Sequence, residues 1–471
     1  MALSALPPRF PLLGKIVAIV LVLLALMVAL QMVSEIVAER EGRLREAEAS
    51  VAVSLAGSQT VLGPILQRDC SETWEAVRGE GKERKVVTER RSWKLAAAPT
   101  DLVVTGQVAL EPRYRGIFKV NGYVLKATVA ANWPDGAGLR PRAEHAGSRL
   151  ACEPPTVLLA LGDSRGVRSA TVRVDDKAVA VRPGTGHPAH GRGFHVAIDD
   201  AWVGSGRPLA VQMAIELAGT GELAFAPVGD STRVELASDW PHPSFAGRFL
   251  PLERTVRETG FDATWKLNAL ATTAPQQAVA GAVACAGGNA PADLPPGREG
   301  GRCVETFGVS FIDPVNGYTL SDRATKYGVL FIALTFLGVA GIEVLRQVRV
   351  HPIQYLLVGS GIAMFFLLLV SLGEHLPFAW AYLAASAACT ALLAFYARFG
   401  LRGAQAGLAF GAAVAALYAV LYLLLQLEQR ALLLGSLLLF AILAALMFAT
   451  RRVDWYGLIA RLRGEADARS T

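Results

Sequence analysis

Two blocks of this chain are too apolar to fold in water. One is "IVAIVLVLLALMVALQMV" at 16–33, and the other runs from 328 to 450. A helix needs about 20 predominantly apolar residues to cross a bilayer. Six segments meet that length: 15–33, 328–346, 353–372, 377–397, 406–426 and 431–449. The first is longer than the roughly 7–15-residue core of a secretory signal, and no A-x-A-like cleavage site follows it. It therefore reads as a retained anchor.

Basic residues orient the spans. Arg9 and Lys15 precede the first, Arg346 and Arg349 join the second to the third, and Arg398 and Arg402 join the fourth to the fifth. Arg451, Arg452, Arg461 and Arg463 follow the sixth, whereas the alternate loops "GEHLP" and "LEQR" carry Arg430 as their only basic residue. The positive-inside rule then puts both termini in the cytoplasm and residues 34–325 in the bacterial periplasm. The net charge of +6 comes largely from these loops, so it gives no reason to expect a nucleic-acid partner.

Between the blocks lies a stretch of ordinary globular composition. "SEIVAEREGRLREAEASVAVSLAG" continues the first span as a helix dense in charges of both signs, which predicts a solvated stalk. Beyond residue 60, "TDLVVTGQVAL", "YVLKATVAANW" and "TVLLALGDSRGVRSATVRVDDKAVAVRPG" are short β-branched runs broken by turns. The expected fold class is thus mixed: a large β-rich, antiparallel sandwich-like periplasmic domain plus a six-helix α transmembrane region, one span N-terminal and five C-terminal. The divisions are 1–33 (cytoplasmic N-terminus and first span), 34–60 (helical stalk), 61–325 (β-rich domain), 326–450 (five-helix bundle) and 451–471 (basic cytoplasmic tail).

Of five cysteines, Cys389 lies inside the fourth span, while Cys70, Cys152, Cys285 and Cys303 lie in the exported stretch, where disulfides persist. The favoured pairing is Cys285–Cys303 across a Gly/Pro-rich loop, which leaves Cys70–Cys152. No C-x-x-C suggests zinc.

Several motifs carry a chemical reading beside a plainer one. "GDSRG" (162–166) has the form of a nucleophile elbow around Ser164, but an elbow sits between strand and helix. Here "VRSATVRVD" continues as a strand, so a hairpin turn is expected. "GHPAHGRGFH" gathers His187, His190 and His195 without a standard metal-ligand spacing, and is read as a glycine-rich turn entering a strand. In "SDWPHPSF", Trp240 and His242 both precede proline, which holds them extended. With Phe245 they form a rigid aromatic corner, or else a partner surface. Asp322, Arg323 and Lys326 at the outer start of the second span, with Glu374 and His375 at the outer end of the third, could meet in one polar coupling cluster. Glu343 lies near the inner end of the second span, where it can snorkel to water, and no ionisable residue stands at the centre of any span. Gly403, Gly407 and Gly411 form overlapping G-x-x-x-G units suited to close helix packing.

The stretches "SDWPHPSFAGRFLP", "LSDRATKYGVLFIALTF", "HPIQYLLVG", "LLLGS", "VDWY", "GDSRGV" and "GTGELAFAPVG" together resemble the CreD family of bacterial inner-membrane proteins. The resemblance runs from the first span to about residue 456. It implies a multi-pass inner-membrane protein linked to cell-envelope integrity and to a two-component system that responds to envelope and cell-wall stress. It implies no reaction, cofactor or catalytic residue.

The expected function is non-enzymatic: the exported domain binds a periplasmic protein or a wall component, and the helices anchor it in the lipid bilayer. No catalytic, cofactor-binding or metal-binding residue is assigned, and no cofactor is expected. A transporter or lipid-handling protein is the alternative, with a cavity lined by polar groups such as Ser371 and Gln426. A periplasmic hydrolase using Ser164 ranks third.

Overall fold

The computed structural model describes residues 11–78, 85–284, 303–311, 313, 317–346, 350–400 and 403–426, with scattered positions between 433 and 451. Helix α1 (Pro11–Ser54) leads into four long strands: β1 (Gln59–Arg78), β2 (Lys85–Ala97), β3 (Asp101–Arg115) and β4 (Phe118–Trp133). Shorter strands follow: β5 (Arg149–Cys152), β6 (Thr156–Leu161), β7 (Val167–Val174), β8 (Lys177–Val179), β9 (Arg182–Pro183) and β10 (Gly193–Ala197). After the short helix α2 (Ala201–Ser205) come β11 (Leu209–Thr220), β12 (Glu222–Phe225), β13 (Ser231–Ser238), β14 (Ser244–Gly247), β15 (Glu253–Arg257) and β16 (Gly260–Asn268). Helix α3 (Ala274–Val279) and β17 (Phe307–Ser310) precede α4 (Gly317–Arg346), α5 (Pro352–Gly373), α6 (Phe378–Gly400) and α7 (Ala404–Gln426). The chain divides into two compact units, 44–314 and the remainder.

The β unit holds two sheets. One has the order β14-β17-β12-β1-β6-β10-β9, with β2 and β5 also paired to β1; the other runs β15-β16-β13-β3-β4-β11-β7-β8. Period-two sequences set which face is buried. In β3, Leu102, Val104 and Val108 point inward while Val103, Thr105 and Gln107 face out. The inward faces bury Trp133, Trp265, Tyr123, Leu62 and Leu66 in one core.

The sheets are mixed rather than antiparallel throughout, because β1 pairs with β12, and β3 with β13, in parallel. Alternation reports which face a residue takes and is silent on strand direction, so the antiparallel expectation fails at these two pairs. "GDSRG" is not a hairpin turn either. It is a one-turn 3₁₀ segment carrying the chain from β6 in one sheet to β7 in the other.

Among the described residues, five helices are long and apolar enough to cross a membrane: Gly14–Ser54, Gly317–Glu343, Pro352–Gly373, Phe378–Gly400 and Ala404–Gln426. The expected sixth span, 431–449, falls largely outside the described residues. In the helical unit, Leu26, Leu30, Val33 and Val37 of α1 pack with Phe331, Ile332 and Phe336 of α4 and Val358 and Ile362 of α5. That buried stripe recurs every three or four residues and reappears at Ala47 and Val51. The charged part of α1 is therefore not solvated all round, as a free stalk would be. Helices α6 and α7 meet backbone to backbone. A Cβ on Gly407 would lie 2.8 Å from the Ala394 carbonyl oxygen, so the G-x-x-x-G face is spent on packing inside the unit.

Candidate functional site

A dense polar network in the β unit lies where the chain enters and leaves it. Helix α1 ends at Ser54, and Gln59 opens β1 with no exposed surface. The Gln59 side chain answers three backbone groups. Its Nε2 donates to the carbonyls of Asp163 (2.9 Å) and Ala218 (2.8 Å), and its Oε1 accepts from the Asp163 N–H at 3.1 Å. Thr220 donates its hydroxyl to the Ala56 carbonyl (2.9 Å) and its N–H to the Gly57 carbonyl (3.2 Å). One residue on, the Gly221 carbonyl accepts from the N–H of Phe311 at 2.7 Å, just past the last strand. The arriving and departing segments are thus fastened to one turn between β11 and β12.

Asp163 and Arg165 tie the end of α1 into this network. The guanidinium grips the carboxylate through Nε (3.0 and 3.1 Å) and Nη2 (2.5 Å). Its Nη1 also donates to the Val53 carbonyl, and its Nη2 reaches the Ala52 carbonyl at 3.5 Å. A helix leaves its last carbonyls unpaired, and a cation there also suits the helix dipole. Asp163 accepts in addition from the N–H groups of Gly57 (3.2 Å) and Arg165 (3.1 Å). The Arg165 hydrogen bond is the main reason the Asp163 carboxyl is held at about 2, with the Gly57 and Arg165 N–H groups adding to it against the cost of burial.

Glycines make room for this crowding. A Cβ on Gly166 would overlap the Ala218 carbonyl oxygen, and one on Gly219 would lie 2.8 Å from Cγ of Gln59. "GDSRGV" and "GTGELAFAPVG" are therefore two halves of one structure. Sequence reasoning placed the coupling surface elsewhere and missed this one. The available signal was two glycine-rich stretches of unusual composition, but nothing in the sequence paired them.

A second buried carboxylate organises the neighbouring loop. Glu72, fully buried, accepts from the N–H groups of Glu144 (3.0 Å) and His145 (2.9 Å) and from the Ser148 hydroxyl (2.5 Å). The Ser148 bond leads in holding this carboxyl at about 2. His145 stacks on Trp74 with ring centroids 3.8 Å apart. Cys70 and Cys152 are opposite one another on β1 and β5 and joined by a disulfide. Cys303 is disulfide-bonded as well, and Cys285, its expected partner, lies outside the described residues.

The sequence-predicted residues fall as follows. Trp240 is buried, 6% exposed, and its indole N–H donates to the His242 carbonyl at 2.7 Å. Phe245 stands edge-on to Phe261 (5.5 Å) and Trp265 (5.8 Å), with Arg254 over its ring. "WPHPSF" is built as a locked corner; of the three named side chains only the His242 imidazole faces solvent. His195 bonds the Gly184 carbonyl through Nδ1 at 2.6 Å, and the His187 and His190 rings lie 5.0 Å apart. Among the described residues no group of three metal-binding side chains converges. Ser164 is exposed, and its hydroxyl makes no hydrogen bond to a side chain among the described residues.

Among the described residues, three of the five expected to form one polar cluster are seen in ion pairs. Asp322 pairs with Lys326 at 2.5 Å along α4, where Arg323 also lies, whereas Glu374 pairs with Arg40 of α1 at 2.9 Å, next to His375. Glu343 is likewise paired rather than snorkelling. It meets Lys15 of α1 and accepts from the Tyr355 hydroxyl at 3.1 Å, tying α1, α4 and α5 together. Ser371 and Gln426 are exposed on their helices. The crevice between α4 and α7, about 260 Å³, is lined instead by apolar groups such as Leu334, Ile342, Ala409 and Phe410. Thr335 also lines it, with its hydroxyl committed to the Phe331 carbonyl at 2.8 Å.

Residues 11–456 match the family described as inner membrane protein CreD. The inner membrane protein CreD of Escherichia coli (strain K12) is 32% identical over 450 residues, which cover 95% of this chain and 94% of that protein.

Proposed function

We propose, from the premise that this chain belongs to the CreD family of inner membrane proteins, that it contributes to envelope integrity by coupling a periplasmic β unit to its membrane helices. The observation that carries this reading is the junction. Gln59, Asp163, Arg165 and Thr220 hold the arriving helix, and Gly221 holds the departing strand, in one network. A displacement of the β unit is then passed to the end of α1 and to Phe311 together. The Cys70–Cys152 disulfide supports an oxidising compartment for the β unit, and the arginine-bearing loops support the same orientation. The occupant of the β unit is read as a protein partner or a wall component, and no catalytic step is assigned.

The test uses a strain lacking the gene, challenged with detergent and with wall-synthesis inhibitors. Arg165→Asp and Asp163→Arg should each fail to restore survival at normal protein levels, whereas Arg165→Lys, which keeps a cation beside the Val53 carbonyl, should recover part of it. Full restoration by either charge reversal would remove the coupling reading. An alkaline phosphatase fusion after residue 200 should be active; an inactive fusion would reverse the assigned orientation.

A further inference from the structure

Strands β3 and β4 outrun their sheet. β11 leaves β4 at the pair Thr220–Gly122, and β13 leaves β3 at the pair Ser238–Val108. Beyond these, Pro112–Arg115 and Phe118–Asn121 pair only with each other. The end they overshoot is the junction end. Asn121 donates to the Phe311 carbonyl at 3.2 Å, and Gly122 lies against the Leu55 side chain. The ribbon therefore protrudes where the chain arrives from α1 and departs toward α4.

Its tip combines exposed apolar and basic groups. Tyr114 is 67% exposed and Ile117 is 50% exposed, and Arg113, Arg115 and Lys119 surround them, all exposed. The local acid, Glu111, is already engaged by Arg168 (2.8 and 3.1 Å) and Arg113 (2.8 Å). Arg115 and Lys119 make no ion pair among the described residues. Tyrosine favours the headgroup level of a bilayer, basic side chains are drawn to anionic lipid, and an isolated two-stranded ribbon has little cohesion of its own.

We propose that the β3–β4 tip is a lipid-contacting foot. Tyr114 and Ile117 seat in the headgroup layer of the bilayer that α1 enters, and Arg115 and Lys119 bind anionic phospholipid. The inference does not depend on which side of the membrane the β unit occupies or on what the unit binds.

The test places a fluorophore at Ile117→Cys in the full-length protein, reconstituted in nanodiscs containing phosphatidylglycerol. Lys177→Cys, on the β7–β8 turn beside the start of β11 at the other end of the sheet, is the control. The probe at 117 should be quenched by nitroxide-bearing lipid and shielded from aqueous iodide, with the reverse at 177. Adding Arg115→Glu and Lys119→Glu, or replacing the anionic lipid with phosphatidylcholine, should move the 117 probe toward iodide. Iodide access at 117 equal to that at 177 would overturn the proposal. So would shielding from both quenchers, which would mean a protein covers the tip.

Discussion

Replacing Gln59 by leucine tests the junction at its most buried point. Leucine nearly preserves the volume but removes all three side-chain hydrogen bonds. The Asp163 carbonyl retains a bond from the Gly166 N–H at 3.3 Å. The Asp163 N–H and the Ala218 carbonyl lose the amide that served them. An orphaned buried polar group costs about 1–3 kcal/mol. Two of them, partly offset by leucine's larger apolar burial, give a loss of about 3 kcal/mol. At about 2–4 °C per kcal/mol for a domain near this size, the midpoint should fall by roughly 6–12 °C. Tryptophan fluorescence during heating of the detergent-solubilised protein reads the β unit, because Trp74, Trp93, Trp133, Trp202, Trp240 and Trp265 all lie in it, six of the chain's eight. Gln107→Leu, on the exposed face of β3, is the control and should shift the midpoint little. Equal shifts for the two variants would refute the claim that the Gln59 amide is structurally committed. Hydrogen exchange at Ala52–Leu55 should also accelerate in Gln59→Leu and not in Gln107→Leu.

Three further outcomes are expected. Cys70→Ser with Cys152→Ser should lower stability by about 2–4 kcal/mol, since the bridge spans 82 residues of sequence; denaturant midpoints measured with and without reductant check it. Asp163 and Glu72 are both held at about 2, below the roughly 4 of an unfolded carboxyl. Depressed values of this kind add stability that is present above the unfolded value and lost as pH falls from about 4 toward 2. Midpoints measured across that range should drop, and Glu72→Gln should flatten the acid limb. Asp322→Ala removes a surface pair with a 70%-exposed Lys326 and should cost under about 0.5 kcal/mol. Glu374→Ala strips Arg40 of a carboxylate that is only 14% exposed, so it should lower the thermal midpoint of the solubilised protein by clearly more.

The sequence by itself determined five of the six expected membrane helices, the β-rich character of the middle and the inward faces of its strands. A span is a run of apolar residues and a strand face is an alternation, so both are visible in neighbouring letters. The stiffness of "WPHPSF" was legible for the same reason: proline restricts the residue beside it. What brings distant residues together left no such trace. Gln59 stands 104 positions from Asp163 and 159 from Ala218, and Arg40 finds Glu374 across most of the chain. The predicted topology suggested one cluster of Asp322, Arg323, Lys326, Glu374 and His375, but it gave no sign that Glu374 would take Arg40 of α1 as its partner. The parallel pairing of β3 with β13 was equally hidden, because alternation is the same read in either direction. Only the tertiary structure decided that two glycine-rich turns would close around the end of α1, since that contact depends on where each sheet delivers its chain.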